Sequence, residues 1–446
     1  MNRKNEVQTM LTRRQFLLTS ASAFVSAMAP FSLAGLEKSS RRPNVLILLS
    51  DQETERISRS WLRLPNRRRL EARGMRFTNA FCATPQCSAS RASLLTGLNP
   101  HQAGVVANVD SGSLGKPLSP SIPCLGSVFR DQGYIMGYLG KWHLGNDENG
   151  LGAFGFPNKH DGSALRGEEL ANAAADWIRN QEETPWLLVV SFINPHDIYQ
   201  ISNHIQEPIC DNVTLPDNFH DDLAGKPAPQ RQYLEKDQGK VTLNWGKEEW
   251  LRYRSYYLNL IEKVDSHIGI ILDALEAKGQ SEDTVAIYSS DHGDMAGAHR
   301  LPFKGPFMYD ELLNVPLTLS YPQRFAQGGV SDSLVSLIDI VPTLCEMSGI
   351  AWPKPLPGIS LCPLFSQPNQ PLRKEIYAEY YGKQKWINPI NTIRTKEWKY
   401  NLYLQGGEEL YALDRDPGEI KNLAADSAYA PIKKKLADSL QRFHTH

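Results

Sequence analysis

Four apolar runs in this chain end on side chains that can bind a metal or move a proton. Residues 44–50 (NVLILLS) run into Asp51 and Gln52, and residues 134–139 (YIMGYL) into Gly140, Lys141, Trp142 and His143. Residues 186–193 (WLLVVSFI) lead to Asn194, Pro195, His196 and Asp197, and residues 284–290 (TVAIYSS) to Asp291, His292, Gly293 and Asp294. Carboxylates and imidazoles of this kind ligate cations and act as acid–base groups near neutral pH. One such residue after a strand reads most simply as a helix cap or turn former, whereas four together point to one shared site. Cys87 is a further candidate. It stands four residues before Arg91, in a loop before a stretch that can open a helix from Ser90, with Ser88 or Ser90 as its cap. A helix N-terminus and a guanidinium create a positive field that favours a thiolate or binds an anion. A buried or disulfide-bonded cysteine fits the same spacing.

The elements that must position these residues follow from the pattern. Continuous apolar runs suit strands buried on both faces, as in a parallel sheet. Residues 315–321 (VPLTLSY) make a fifth. Between the runs lie helical patterns, the clearest with Tyr257, Leu260, Ile261, Val264, Ile268, Ile271, Leu272 and Leu275 on one face and Gly279 as its stop. The alternation predicts an α/β fold with a large, mostly parallel central sheet flanked by helices, in which ligands bind beyond the carboxyl ends of the strands. Residues 352–372 are rich in proline. After them, residues 375–381 and 391–404 alternate apolar and polar, Leu410–Tyr411 reads as a strand, and residues 431–443 are amphipathic. This predicts a smaller C-terminal α+β domain carrying an antiparallel sheet. The polar, irregular stretch 203–250 is expected to form part of the site's mouth.

At 446 residues the chain exceeds one ordinary domain of roughly 100–200 residues. The expected division is an export signal over 1–34, an α/β catalytic domain over 42–365 and the C-terminal domain over 366–446. Hydrophobic residues make up 41% and charged residues 22%, which excludes disorder or collagen-like structure for the bulk. Lys plus Arg (48) balance Asp plus Glu (49) to a net charge of -1, so no bulk attraction to nucleic acid or an anionic membrane is expected. Thr12, Arg13, Arg14, Gln15, Phe16 and Leu17, followed by an apolar stretch to Met28, read as a twin-arginine export signal. Cleavage is expected near Ala27 and Ala29 or Ser32 and Ala34. That implies the twin-arginine export machinery as a partner and a periplasmic or secreted protein. No apolar run reaches the ~20 residues of a membrane span. The six cysteines have irregular spacing and no Cys-x-x-Cys pair, against a dense disulfide framework.

Cys87-Ser88-Ala89-Ser90-Arg91 followed by Ala92-Ser93-Leu94-Leu95-Thr96-Gly97 resembles the signature of the type I, formylglycine-dependent sulfatases of the alkaline-phosphatase-like superfamily. Gly140 to Gly145 (GKWHLG), Ser290 to Asp294 (SDHGD), Phe303–Lys304, Ser336 to Thr343 (SLIDIVPT) and Asp414 to Leu423 (DRDPGEIKNL) resemble further family segments in family order. The resemblance implies a sulfuric ester hydrolase in which Cys87, oxidised to formylglycine by a maturation enzyme and hydrated, is nucleophile and metal ligand. Asp51, Gln52, Asp291 and His292 would complete the site of one divalent metal, calcium by family habit, with manganese or magnesium as alternatives. Arg91 would hold the diol and the carboxylates. His143 would take the proton that lets the sulfated intermediate collapse. Lys141, His196 and Lys304 would bind sulfate, with His196 or Lys304 protonating the leaving oxygen. Asp294 and His299 would orient His292, bind substrate, or serve as plain turn residues.

Three positions depart from the commoner family pattern. Ala89 stands in place of proline, which bears on the choice of maturation enzyme. Gln52 replaces a second aspartate, and His292 an asparagine. The last two are more similar to the branch of choline sulfatases and phosphonate monoester hydrolases, and with fewer carboxylates the site is expected to be more electropositive. The expected substrate is a sulfated small molecule or carbohydrate. The alternatives are a phosphonate or phosphate ester hydrolase on the same scaffold, and a non-catalytic binder of sulfated glycans if Cys87 stays a thiol.

Overall fold

The computed structural model describes residues 42–61, 63–145, 150–156, 165–324, 328–383 and 386–443. The export signal expected over 1–34 lies outside them. Among the described residues no helix is long and apolar enough to cross a membrane.

Thirteen strands make up the described sheets: β1 (Asn44–Asp51), β2 (Gly74–Phe77), β3 (Ala80–Phe81), β4 (Ile135–Gly140), β5 (Trp186–Pro195), β6 (Thr284–Ser290), β7 (Leu317–Ser320), β8 (Gly329–Ser331), β9 (Val335–Ser336), β10 (Ile376–Lys383), β11 (Trp386–Arg394), β12 (Trp398–Tyr403) and β13 (Glu408–Ala412). The seven-stranded main sheet runs β4-β5-β1-β6-β7-β2-β8. β4, β5, β1 and β6 are parallel neighbours running inward from one edge, and β7 is antiparallel to both β6 and β2. This is the mostly parallel sheet that the apolar runs predict. The run at 315–321 narrows to β7, because Pro316 has no N–H for the ladder. β2, β3, β8 and β9 escape the pattern because each has only two to four residues.

β1 explains why such a strand is apolar throughout. Val45, Ile47 and Leu49 pack on one face of the sheet with Leu94 and Leu95 of the Cys87–Thr96 helix. Leu46 and Leu48 pack on the other with Val264, Ile268 and Ile271 of the Lys247–Ala277 helix. Both faces are dry, so Val45 to Leu49 are all apolar, and polar side chains stand only at the ends of the strand, Asn44 at its start and Ser50 and Asp51 at its carboxyl end. The Lys247–Ala277 helix contains the predicted apolar face and stops before Gly279, whose φ is +71°. The Cys87–Thr96 helix begins three residues earlier than Ser90, and neither Ser88 nor Ser90 caps it. Gln86 holds the N-cap position without a side-chain cap bond. Ser90 Oγ instead donates to the Asp291 carbonyl, at 2.5 Å.

The C-terminal sheet runs β10-β11-β12-β13, antiparallel throughout, with the Ala430–Phe443 helix against it. The alternating stretch 391–404 divides into β11 and β12 around a turn in which Thr395 N bonds to the Trp398 carbonyl at 2.8 Å. A buried charge cluster joins this sheet to the rest of the chain. Asp310 accepts from Arg394 of β11 at 3.0 Å, Lys399 of β12 at 2.6 Å and Arg56 at 3.2 Å. Lys399 also reaches Glu419 at 2.7 Å. Burial works against the Asp310 charge, yet the surrounding cations hold its carboxyl well below the usual range.

Removing one partner from such a cluster strands the others in a dry interior. Asp310→Ala should therefore cost about 3–5 kcal/mol in urea denaturation. Asp438→Ala, which breaks an exposed pair with Lys434, should cost under about 0.5 kcal/mol. Equal, small losses would show that the cluster does not hold the two sheets together.

Candidate active site

The carboxyl ends of β1, β4, β5 and β6 meet the first turn of the Cys87–Thr96 helix. Gly140 closes β4 at φ +91°, and a Cβ there would sit 2.1 Å from the Ser191 carbonyl oxygen. Glycine is thus required for Lys141 N to bond to that carbonyl at 2.9 Å and turn its side chain toward β1. Gln52 and His143, each just past a strand end, also have positive φ (+72° and +59°). Such conformations cost of order 1–3 kcal/mol and concentrate at functional sites.

Arg91 is the centre of the arrangement and is 1% exposed. Its Nε donates to Asp291 Oδ2 at 2.8 Å and its Nη2 to Asp51 Oδ2 at 2.9 Å. Its Nη1 donates to the Lys141 carbonyl at 2.8 Å and to Ser191 Oγ at 2.7 Å. Lys141 Nζ reaches Asp51 Oδ2 at 2.5 Å. Asp291 Oδ1 accepts from the backbone N–H of Gln52 and of His292, at 3.1 and 2.9 Å.

Cys87 lies one helical turn before Arg91, fully buried. Its Sγ is 3.8 Å from Asp51 Oδ1, 3.2 Å from His292 Nε2 and 2.8 Å from Lys304 Nζ. Lys304 Nζ is also 2.8 Å from His292 Nε2. His143 and His196 approach Cys87 from the strand ends of β4 and β5, near enough to act on its charge. Burial pushes the thiol up, but Lys141, Lys304, His292 and His143 outweigh it and bring the group well below the ordinary thiol range. Asp51 follows the same logic. Burial and the Cys87 charge raise it, while Lys141, His196 and Arg91 pull it below the usual carboxylate range.

The ten residues expected from the sequence to have a catalytic or metal-binding role therefore converge: Asp51, Gln52, Cys87, Arg91, Lys141, His143, His196, Asp291, His292 and Lys304. One ligand atom each from Asp51, Cys87, Asp291 and His292 lies within 4.8 Å of the others. Two further features suit a cation. His292 Nδ1 is 2.9 Å from the Gly293 carbonyl, so it carries the proton and leaves Nε2 with its lone pair toward the cluster. Gln52 Oε1 is buried without a hydrogen-bond partner, while its Nε2 donates to Asp294 at 2.7 Å. An orphaned amide oxygen beside two carboxylates fits a hard cation. The four-atom cluster together with Gln52 thus offers oxygen, nitrogen and one position-87 donor to a divalent metal.

Asp294 and His299 have other work. Asp294 holds Gln52 and accepts from Tyr253 Oη at 2.8 Å, so it orients Gln52, with no bond to His292. His299 bonds to Asp221 at 2.6 Å and Asn218 at 3.1 Å and stacks on Tyr309, away from the cluster. Sequence reasoning missed Ser191, which seats Arg91. It also missed Tyr257, whose hydroxyl donates to the Gln52 carbonyl at 2.7 Å. Ser191 lies within the apolar β5 run, where a lone serine gave the only signal. The six cysteines are all free thiols.

Comparison with known proteins agrees with this geometry. The family model described as Sulfatase matches residues 43–350, and that described as N-sulphoglucosamine sulphohydrolase, C-terminal, matches 297–446. The Delta 4,5-hexuronate-2-O-sulfatase of Bacteroides thetaiotaomicron is 31% identical over 423 residues, covering 88% of this chain and 86% of its own. A solved 2-O GAG sulfatase superposes with a TM-score of 0.80 at 28% identity, over 91% of this chain and 92% of that one. The phosphonate monoester hydrolase of Agrobacterium radiobacter shares the fold, with a TM-score of 0.70 at 23% identity over 91% and 96%. Matched from the first strand to the last helix, the chain belongs to the sulfatase family and is a sulfate ester hydrolase.

Proposed function

We propose that this sulfatase works through a converted Cys87 and a divalent metal held by Asp51, Gln52, Asp291, His292 and the side chain at position 87. A maturation enzyme would supply the oxidant that turns the thiol into formylglycine, and hydration of the aldehyde would give the nucleophilic hydroxyl. The observation that carries this reading is the convergence of Asp51, His292 and Lys304 on Cys87 Sγ. The sulfur stands in for an oxygen of the converted side chain. When bound, the metal polarises both the sulfate and the hydroxyl. Calcium is the metal proposed, with two alternatives: manganese, which a nitrogen ligand such as His292 would suit better, and magnesium.

The protein's own groups do the rest. Arg91 fixes both carboxylates, so neither can rotate away from the position-87 oxygen. Lys141, His196 and Lys304 bind the nonbridging sulfate oxygens and offset the charge that grows as the ester bond breaks. His143, close to position 87, takes the proton from the hydroxyl that remains once the sulfate has been transferred, and the sulfated side chain then collapses to the aldehyde and releases sulfate. His196 or Lys304 gives a proton to the leaving oxygen. The substrate class proposed is a sulfated carbohydrate, with a 2-O-sulfated hexuronate the first to test, because the curated relative at 31% identity bears that activity in its name. Export by the twin-arginine route to the periplasm or beyond remains part of the proposal and rests on residues 12–34.

The alternative is a phosphonate or phosphate ester hydrolase. It is favoured by one observation. Among the described residues, the two carboxylates Asp51 and Asp291 face three cations, Arg91, Lys141 and Lys304, and such a balance accommodates a dianion. Paired sulfate and phosphate esters of one chromophoric alcohol separate the two. The sulfate ester is expected to have the higher kcat/KM, and a large preference for phosphate would favour the alternative.

Two further outcomes are expected. Protein made with a maturation enzyme should yield a residue-87 peptide lighter by one sulfur and two hydrogens less one oxygen, and Cys87→Ala should lower turnover about 10,000-fold or more. Free thiol in fully active protein would overturn the nucleophile assignment. Metal saturation at 100 Kd should add about 2.7 kcal/mol of stability, read as a rise in Tm over chelator-treated protein. Gln52→Ala should shrink that gain by about 1 kcal/mol. An unchanged gain would remove Gln52 from the metal site.

A further inference from the structure

The C-terminal sheet reaches the active site at one point. Gln86, the residue before Cys87, donates from Nε2 to the Gly382 carbonyl at 2.6 Å, which ties the end of β10 to the start of the nucleophile's helix. The next residue, Lys383, is half-buried. Its ammonium bonds to Gln238, in the stretch expected to line the mouth, and stands 5.8 Å from the centre of the Tyr199 ring. Tyr199 in turn stacks on Phe303, next to Lys304, at 4.2 Å, and its centroid is 5.0 Å from that of His196. Lys383 is thus seated on the aromatic wall that backs two of the sulfate-binding groups.

Lys383 differs from the other cations of the site in having no anionic partner. Lys141 is paired with Asp51, and Lys304 lies on Cys87. No carboxylate oxygen lies within 4.0 Å of Lys383 Nζ among the described residues. The acidic groups that face it, Asp110 and Asp237, act only at longer range, as does Cys87. Burial first, and then Lys304, push the ammonium down to about 8, so it is charged at neutral pH yet costly to keep there unpaired. A half-buried cation without a carboxylate partner, held by a neutral amide and a ring face beside the sulfate-binding groups, is arranged to receive an anion from outside.

We propose that Lys383, fixed between Gln238 and Tyr199 beside the sulfate pocket, reads a second negative group on the substrate, the carboxylate of a sulfated uronic acid. It acts in ground-state binding and specificity and leaves the chemistry at position 87 to other residues. The proposal rests on the sulfated-carbohydrate reading given above, and the experiment separates the two.

Binding is measured by calorimetry in the Cys87→Ala full chain, where no turnover intrudes. The ligands are a 2-O-sulfated hexuronate disaccharide and the same disaccharide with its carboxyl reduced to an alcohol. The Cys87→Ala protein should prefer the acid, and Lys383→Met should cut that preference about 10- to 100-fold while Lys383→Arg largely retains it. In the converted enzyme, Lys383→Met should raise KM for the acid, spare kcat, and change hydrolysis of an aryl sulfate that carries no charge beyond its sulfate less than about 2-fold. Equal affinity of the Cys87→Ala protein for the two ligands, or an acid preference that survives Lys383→Met, overturns the proposal. So does an equal loss on the acid and the aryl ester, which would mark Lys383 as structural. Carboxylate preference in a protein that hydrolyses no sulfate ester supports Lys383 as the reader and counts against the catalytic reading alone.

Discussion

Arg91 sealed between Asp51 and Asp291 is the constraint on which the rest of this structure depends. All three side chains are shielded from water, and transferring such charges out of solvent costs several kcal/mol each. The cost is offset only because the guanidinium spends its donors on two carboxylates, a carbonyl and a hydroxyl, in fixed directions. Those partners belong to β1, β5, the residue after β6 and the residue after β4. One side chain therefore locks a helix onto the ends of four parallel strands. Cys87 and Arg91 are four residues apart and share a helix face. Fixing the arginine thus fixes the sulfur, and the position of the reacting atom follows from an ion pair that does no chemistry itself.

The same burial sets the electrostatics. Arg91, Lys141 and Lys304 outnumber Asp51 and Asp291, and burial pushes the Asp294 carboxyl upward, toward its neutral form. The pocket is positive before any metal is counted, and a low dielectric makes that excess felt. A buried thiol would ordinarily resist ionisation, as Cys82 does, where burial and the nearby Asp291 raise it. Cys87 is driven the other way by the lysines and by His292. Two cysteines five residues apart thus differ because one faces the cations and the other faces a carboxylate.

Much of this was legible in the sequence, for a physical reason. A strand with both faces dry must be apolar along its length, so the polar residues that end it are conspicuous. Asp51, Lys141, His196 and Asp291 could be read from that contrast alone. Resemblance to a family added Lys304, which reaches the cluster from a loop that has no periodicity to betray it. What escaped was of two kinds. Two- to four-residue strands such as β3 and β9 are held by their neighbours' hydrogen bonds and leave no pattern. Groups that act through others, such as Ser191 on Arg91 or Tyr257 on Gln52, are single polar atoms in apolar settings, and a sequence does not say which partner they meet. The helix start at Cys87 was misplaced because serine is a good cap in general, while here Ser90 is drawn to the Asp291 carbonyl instead.

The division of labour between the two sheets follows from the same forces. The parallel sheet must hold charges within tenths of an ångström, and buried ladders with side chains packed on both faces do that. Recognition of the non-reacting part of a substrate needs residues at the rim, where segments can vary without disturbing the clamp on Arg91. Here two such segments meet, the polar stretch containing Gln238 and the hairpin of β10 and β11. A rim built from a separate sheet could drift relative to the chemistry. Among the bonds that prevent this are the one from Gln86 to Gly382, next to the nucleophile, and the buried cluster of Asp310 with Arg394 and Lys399 at the far end of β11 and the start of β12. A hairpin pinned at its tip and at its base presents Lys383 in one place. The buried cluster adds little stability over a well-packed apolar contact, so its value lies in fixing the register of one sheet on the other.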